Sequence, residues 1–282
     1  MIMEYELNML FPGGKKKALT FSYDDGTIHD RKLVALMNKY GMKGTFNLNS
    51  GLFGRHERKV IGGFDTDFTR IDAEEVKDLY AGHEVASHTL NHPFLTRLPS
   101  NMGAKEILQD RSNLEGLTGE LVRGFAYPYG VYDEKVEEVL SACGIEYART
   151  VNSTDRFDIP RDFLEWHPTC HHDSPKLMEL AEKFCKESAQ EAEVFYLWGH
   201  SYEFSQKDNW QVIEDFMKYV SDYKEHIWLA ANIEITDYVE AFKKLRRSTD
   251  GRIIYNPAGM TLWFAMNGEV HCIHGNEKYG PL

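Results

Sequence analysis

The feature of this sequence that most restricts its fold is a regular alternation between strand-like and helix-like segments. Short runs of β-branched, aromatic and aliphatic residues are each followed by apolar residues at helical spacing. The strand-like runs are ALTFSY from Ala18, GTFNLN from Gly44, EVAS from Glu84, VRGFAY from Val122, IEYART from Ile145, VFYLWG from Val194 and IWLAA from Ile227. Repeated βα units build a parallel sheet through right-handed crossovers. We therefore predict an α/β fold, and the seven units favour a barrel.

The helix-like segments carry start and stop signals. Gly41 follows the first helix as a C-terminal stop, residues 72–75 have the layout of a capping box, and Ser174-Pro175 suits an N-cap followed by a first-turn proline. The predicted helices cover residues 33–40, 72–82, 102–117, 208–223 and 236–245, with two more beginning at residues 133 and 174. The longest irregular segments, 51–70 and 151–173, follow strands and are predicted to be loops over a site.

The pattern changes beyond Gly251. Three strand-like runs follow, RIIY, TLWFAM and EVHCIH, and Asn267-Gly268 between the last two is typical of a two-residue hairpin turn. We therefore predict two parts, a barrel over residues 1–250 and a small β segment over residues 251–282 that packs on it.

Composition restricts the function. The formal net charge of -12 argues against nucleic acid as a partner, because binding to its phosphates needs a basic surface. No window is apolar enough to span a bilayer. The opening residues lack a cationic and apolar leader, and the four cysteines are scattered without a CxxC pair. We expect a cytoplasmic protein with free thiols, unless a leader has been removed.

Polar residues follow several of the predicted strands. In a parallel barrel the carboxyl ends of all strands lie on one face, so such residues meet there. They are Asp24-Asp25 after the first strand, SHTLNH from Ser87 after the third, YPYG from Tyr127 after the fourth and WGHS from Trp198 after the sixth.

A metal site is the first interpretation of this set. His88 and His92 are four residues apart, so both imidazoles can reach one ion, and Asp25 adds a carboxylate. Two histidines and one carboxylate with open positions suit one divalent ion, Zn(II) first, with Fe(II), Co(II) or Ni(II) as alternatives. The remaining carboxylate, Asp24, would face a water. The alternative is structural: an Asp-Gly turn whose acids cap backbone groups, and a surface turn with two ordinary histidines.

The motifs SYDDG, SHTLNH, YPYG and LWGH, in this order and at these strand ends, resemble the successive motifs of the polysaccharide deacetylase family (NodB-homology domain, carbohydrate esterase family 4). The resemblance covers roughly residues 15–245. DDG together with HxxxH is a specific signal, whereas PYG and LxxH alone are weak. The resemblance implies a distorted (β/α)7 barrel, here with a short C-terminal β appendage.

The resemblance also implies a role for each matching residue. Asp24 corresponds to the general base, and Asp25, His88 and His92 correspond to the metal ligands. His200 corresponds to the general acid. The backbone N–H of Tyr129 corresponds to the donor that holds the oxyanion.

The chain departs from the family pattern at the position two residues before the proline of YPYG. An arginine that orients the base is usual there, and this chain has Ala126. Arg149 and Arg123 are candidates to replace it. We favour Arg149 because it lies at a strand end on the predicted catalytic face.

The family's Asp-Trp motif has no clean match in residues 152–175. Trp166 is expected either to stack on a sugar or to anchor the core. Cys170-His171-His172 has the composition of a metal cluster, but neighbouring side chains diverge, so we expect His171 or His172 to contact substrate and no second metal. Glu203, three residues after His200, is expected to hold that imidazole or to be a surface acid.

The predicted function is a metal-dependent hydrolase that removes N-acetyl groups from an acetylated amino-sugar. One alternative is the same site acting on an O-acetyl ester or a non-sugar amide. The other is an inactive barrel that only binds carbohydrate, which Ala126 and the unclear fourth motif suggest.

Overall fold

The computed structural model describes residues 7–280, so residues 1–6, which include part of the segment read above as lacking a leader, lie outside it. The strands are β1 (Leu7–Leu10), β2 (Lys17–Asp24), β3 (Thr45–Leu48), β4 (Arg58–Ile61), β5 (Phe64–Asp67), β6 (Glu84–Ser87), β7 (Gly124–Ala126), β8 (Tyr147–Arg149), β9 (Cys170–His171), β10 (Glu193–Gly199), β11 (Ile227–Leu229), β12 (Arg246–Arg247), β13 (Ile254–Tyr255), β14 (Leu262–Met266), β15 (Glu269–Ile273) and β16 (Lys278–Tyr279). The α-helices are α1 (Asp30–Tyr40), α2 (Val76–Leu79), α3 (Ser100–Thr118), α4 (Glu134–Ala142), α5 (Leu177–Lys186), α6 (Ser201–Gln206), α7 (Trp210–Ser221) and α8 (Asn232–Lys243). Short 3₁₀ turns cover Ser50–Leu52, Ala73–Glu75, Leu95–Arg97, Pro128–Gly130 and Phe163–Glu165.

The central sheet is parallel and curls into a barrel. Seven strands follow one path in the order β8-β7-β6-β3-β2-β10-β9, and β11 pairs with the first half of β2. The segment that leads into β9 links the two ends of this path. Its Trp166 forms a parallel bridge with Arg149 of β8, and Cys170, in β9 itself, pairs with Leu197 of β10. The predicted α/β class with a distorted (β/α)7 barrel is confirmed.

The alternation of side chains along β2 determines which of them point into the interior of the barrel. All eight residues of β2 are buried. Leu19, Phe21 and Tyr23 point outward into the main hydrophobic cluster beneath the helices. Thr20 and Ser22 point inward, where they hydrogen bond to Asn232 and Asn47. Because the period of a strand is two, Asp24 also points into the barrel.

The helix boundaries follow local capping chemistry. Gly41 ends α1 in the left-handed conformation, with φ of 67°, as its position predicts. Asp133 caps α4 by accepting from the N–H of Val136. The helix predicted from residue 174 begins later, because Ser174 Oγ accepts from the N–H of Lys176 in a turn before it.

Several elements differ from the sequence-based expectation. Residues 51–70 contain a hairpin, β4 with β5, in place of a structureless loop. The segment 151–173 contains β9, a strand too short to show a pattern in the sequence. Helix α6 follows β10 directly and was not predicted. Helix α8 begins four residues before the predicted start, because Glu234 accepts from the N–H of Ala231 in its first turn.

The C-terminal strands form two small antiparallel sheets. The hairpin β14-β15 turns at Asn267 and Gly268, both with positive φ, as predicted. β1 pairs with β14, so a strand from the N-terminal part completes this sheet. β12 and β16 pair on either side of β13. The division into residues 1–250 and 251–282 stays a prediction. Among the described residues, no helix combines the length and the apolar character needed to cross a membrane.

Candidate active site

The polar strand ends meet at one end of the barrel. Asp24 is the last residue of β2 and Asp25 follows it, His88 comes directly after β6, and His200 comes directly after β10. Several of the residues that turn the chain there have positive φ: Asp25 (81°), Thr89 (67°), His92 (59°) and Tyr129 (59°). Left-handed backbone in residues other than glycine is costly and is concentrated at functional sites, so this end of the barrel is the candidate active site.

Asp24 lies between a cation and an amide. Its Oδ2 accepts from Nη2 of Arg149, and its Oδ1 accepts from Nδ2 of Asn47 at 2.8 Å. Only 3% of Asp24 is exposed. Burial alone would raise the pKa of this carboxyl group, but Arg149, with His88 and His200, lowers it below its ordinary value. Asp24 is therefore ionised and fixed in orientation.

Asp25 is also buried and ionised, with a different partner. Nη1 of Arg70 lies 3.0 Å from its Oδ1 and also donates to its backbone carbonyl. Burial raises the pKa of Asp25, but Arg70 and the nearby imidazoles lower it strongly. The adjacent carboxylates therefore face two different arginines.

The two histidines of SHTLNH lie beside Asp25. One ligand atom from each of Asp25, His88 and His92 falls within 4.8 Å of the others. His88 Nδ1 donates to the carbonyl oxygen of Ala126 at 2.8 Å, which leaves Nε2 as the free nitrogen facing the carboxylates. Burial lowers the pKa of both imidazoles, that of His92 to about 3. Neutral imidazoles with an oriented Nε2 and an ionised carboxylate are the form in which these groups bind a divalent metal.

His200 faces both carboxylates from the opposite side. Its Nε2 is 3.9 Å from Oδ2 of Asp24 and 3.9 Å from Oδ2 of Asp25. Its Nδ1 donates to Oε1 of Glu203 at 3.1 Å. Burial would lower the pKa of His200, but Glu203 and the two aspartates raise it to about 9. The imidazole therefore carries a proton on Nε2 at neutral pH.

Of the two arginines considered as replacements at Ala126, the structure brings only Arg149 to Asp24. Arg149 is fully buried, and its guanidinium lies 4.3 Å from the ring centroid of Trp198. Arg123 instead pairs with Asp237 near the opposite end of the barrel. Ala126 contributes its carbonyl oxygen, which orients His88.

Tyr129 lies at the open edge of the site. Its side chain is 53% exposed, stacks on Phe94 with ring centroids 3.9 Å apart, and meets the edge of His92 at 4.4 Å. An exposed aromatic face thus borders the candidate metal ligands.

Trp166 is in the core. It is 1% exposed and packs against Tyr147, Phe163 and Tyr196. Of the two roles considered for Trp166, the core anchor fits this position and sugar stacking does not. The segment turns inward here because its backbone bridges to β8.

His171 lies close to His200, and Glu203 contacts both imidazoles. Its Nε2 is 3.1 Å from Oε2 of Glu203, and its ring centroid is 6.5 Å from that of His200. Glu203 is thus no surface acid, since its Oε1 faces His200 and its Oε2 faces both His171 and His172.

Two contributors to the site were not singled out in the sequence. Asn47 holds Asp24, and Arg70 holds Asp25. The signal for Asn47 was its place near the end of the second strand, among TFNLN. Arg70 comes from a distant loop, and nothing in its neighbours marks it.

Comparison with known proteins agrees with this fold. A protein from Mycobacterium smegmatis assigned as a polysaccharide deacetylase aligns over 86% of this chain and 96% of its own, with 17% identity and a TM-score of 0.62. The Xyl-CE4 domain of a multidomain xylanase from the hindgut metagenome of Trinervitermes trinervoides aligns over 80% and 92%, with 14% identity and a TM-score of 0.51. These likenesses show a shared fold. No curated protein matches the chain. Residues 12–148, which hold Asp24, Asp25, His88, His92 and Tyr129, match the family model described as polysaccharide deacetylase.

Proposed function

We propose that this protein is a metal-dependent deacetylase that removes N-acetyl groups from an acetylated amino-sugar. The observation that carries the proposal is the position of His200, whose Nε2 lies 3.9 Å from one oxygen of Asp24 and from one of Asp25. A proton acceptor, a metal ligand and a proton donor thereby surround one small volume.

Asp25, His88 and His92 fit a divalent ion. Their ligand atoms converge within 4.8 Å, and the hydrogen bond from His88 to Ala126 leaves Nε2 available. Arg70 contacts Oδ1 of Asp25, which also lies 4.0 Å from Nε2 of His92, and thereby holds this carboxylate beside the imidazole. A bound Zn²⁺ would act as a Lewis acid on the acetyl carbonyl and acidify a water.

Asp24 is the proposed general base. Arg149 and Asn47 hold its two oxygens, and Arg149 keeps it ionised. A carboxylate fixed in this way can take a proton from the attacking water without first having to reorient. In the proposed mechanism the backbone N–H of Tyr129 stabilises the negative charge that develops on the acetyl oxygen.

His200 is the proposed general acid. Glu203 accepts from Nδ1 and thereby leaves the Nε2 proton directed at the space beside the carboxylates. An amine is expelled from a tetrahedral intermediate only after its nitrogen has been protonated, so amide hydrolysis needs this donor. An alkoxide leaving group from an O-acetyl ester depends on it less.

The substrate class rests on the family and on the edge of the site. Sugars present apolar ring faces that pack on aromatic side chains, and the Tyr129 ring is exposed beside His92. We therefore assign Tyr129 a second role, as the surface on which the acetylated sugar ring lies.

The test is an acetate-release assay on three substrates: a chitooligosaccharide, a peptidoglycan fragment and acetylated xylan. The protein is assayed with Zn²⁺ and after chelation, as wild type and as His200→Gln, with His226→Gln as a matched control at an exposed position. We expect Zn²⁺-dependent release from an N-acetyl substrate, which His200→Gln lowers about 10²-fold or more and His226→Gln leaves unchanged.

The alternatives give different results. Release only from the xylan, with little dependence on His200, would assign the site to O-acetyl esters. Binding of the oligosaccharides without release from any substrate would assign the protein to the inactive carbohydrate-binding class.

A further inference from the structure

We propose a second divalent-metal site, suited to Zn²⁺ and formed by His171, His172, Asp173 and Glu203 next to the candidate active site. The two histidines and Asp173 are consecutive, at the end of β9 and just beyond it, and Glu203 comes from α6. One ligand atom from each of the four residues lies within 4.8 Å of the others. We call this group the β9 cluster.

Two distances inside the β9 cluster are close to those of donors that share an ion. Oε2 of Glu203 is 3.1 Å from Nε2 of His171 and 2.9 Å from Nε2 of His172. Oε2 nevertheless has no hydrogen-bond partner, so these contacts lack hydrogen-bond alignment. Two donors at about 2.1 Å from one Zn²⁺, at angles of 90° to 110°, lie about 3.0 to 3.4 Å apart. The observed separations are close to that range.

His172 is the strongest indication of a ligand site in the β9 cluster. It is fully buried, neither of its nitrogens makes an aligned hydrogen bond, and Nε2 faces Oε2 of Glu203 at 2.9 Å. A buried imidazole without an aligned hydrogen bond is costly, since nearly all buried polar groups in proteins are paired. A metal ion shared by Nε2 and Oε2 would satisfy both atoms.

The fold makes specific room for this imidazole. His172 stacks on Tyr23 and packs on Phe204, with ring centroids 5.8 Å and 4.0 Å away. On the other side lies Gly199, where any Cβ would collide with Nδ1 of His172. The ring is therefore held with Nε2 toward Glu203 and Asp173.

Two contacts work against an ion, but each involves only one of the two possible ligand atoms of its side chain. Lys207 pairs with Oδ2 of Asp173, while Oδ1 faces His172 at 3.8 Å. The N–H of Asp173 donates to Nδ1 of His171, so the proton of that ring is on Nε2 and would be displaced on binding. His172, Asp173 and Glu203 are accordingly the core of the site, and His171 is the fourth ligand.

The ligand set indicates which ion would bind. Two imidazoles and two carboxylates match zinc better than Ca²⁺ or Mg²⁺, which take oxygen ligands.

The β9 cluster contacts the candidate active site through one carboxylate, because Oε1 of Glu203 accepts from His200 while Oε2 belongs to the cluster. An ion there would fix the group that positions His200. Adjacent residues usually diverge, which is why no second metal was expected; here the end of β9 turns so that three consecutive side chains converge.

The test counts the ions bound to the 282-residue protein. Chelator-treated protein is titrated with Zn²⁺ by calorimetry, and bound zinc is then measured by mass spectrometry after gel filtration. The variants are Asp25→Asn, His172→Gln, Asp173→Asn and the double variant Asp25→Asn/Asp173→Asn, with His226→Gln as the control for weak surface binding. We expect two equivalents in wild type and in the control, one in each single variant and none in the double variant.

One equivalent in wild type, or two in both His172→Gln and Asp173→Asn, would overturn the inference. If His172→Gln does not fold by circular dichroism, Asp173→Asn decides, because Asp173 is only partly buried. A second readout is the visible absorption of Co²⁺ added to Asp25→Asn, which we expect to disappear when Asp173→Asn is added. Acetate release with a single bound ion would contradict the second site and leave the proposed function intact.

Discussion

Two buried aspartates six residues apart, Asp24 and Asp30, differ in charge because they have different partners. Asp24 is 3% exposed and accepts from Arg149 and Asn47. Asp30 is fully buried in the first turn of α1 and accepts from the hydroxyls of Ser201 and Tyr80. Burial raises the pKa of both, and for Asp30 the hydroxyls only partly oppose it, so its pKa is about 7. In Asp24 the guanidinium outweighs burial, and its pKa is lowered.

The difference separates a carboxylate available for chemistry from one that supports the fold. An ionised, positioned carboxylate can accept a proton, whereas a carboxyl that is neutral through much of the acidic range serves as a hydrogen-bonding group. The role of Asp24 therefore depends on Arg149, a cation that reaches its carboxylate from a strand distant in sequence.

The largest expected effect is the difference in kcat for acetate release between the variants Asp24→Asn and Asp30→Asn. Both substitutions keep the shape of a buried side chain and remove its charge. We expect Asp24→Asn to lower kcat for acetate release about 10³-fold, the effect of losing a general base, and Asp30→Asn to change it less than about 5-fold. Equal losses in both variants would mean that Asp24 acts through the fold alone.

A smaller effect concerns stability and pH. The pKa of Asp30 is raised from 3.8 to about 7, so the folded state binds the extra proton between these values. The stabilisation is complete below about pH 4 and is lost as the pH rises to about 7, a loss of at most about 4 kcal/mol. Urea unfolding at pH 5 and pH 8 should show a larger fall for wild type than for Asp30→Asn. Parallel changes in the two proteins would show that Asp30 is charged in the folded state.

The smallest effect sharpens the role of Arg149. Because Arg149 lowers the pKa of Asp24, we expect Arg149→Met to move the acidic limb of the kcat/KM profile to higher pH and to lower kcat about 10-fold to 10²-fold. Arg123→Met is the matched control, since Arg123 pairs with Asp237 near the other end of the barrel. An unchanged pH profile in Arg149→Met would remove it as the residue that orients the base.

The sequence predicts the barrel and the ends of its strands because both depend on local patterns. The period of β2 predicts that Asp24 points into the barrel, and the HxxxH spacing predicts that His88 and His92 lie close together. Both predictions use only the local sequence. The location of Arg149 at a strand end was enough to prefer it to Arg123 as a partner of Asp24.

What the sequence does not predict depends on long-range contacts. Arg70 reaches Asp25 from the segment that follows the β4-β5 hairpin, and no local pattern encodes that approach. Trp166 is buried because its segment pairs with β8 at Trp166 and with β10 at the two-residue strand β9. The convergence of His172 on Glu203 depends on the same strand and on α6, and neither element was predicted.

The central claim is that the adjacent carboxylates Asp24 and Asp25 have different tasks. The most direct measurement is bound zinc and acetate release in the same preparations of wild type, Asp24→Asn and Asp25→Asn. We expect Asp24→Asn to keep the zinc content of wild type and lose release, and Asp25→Asn to lose one equivalent of zinc as well as release. Unaffected release in Asp24→Asn, or an equal loss of zinc in both variants, would contradict the claim.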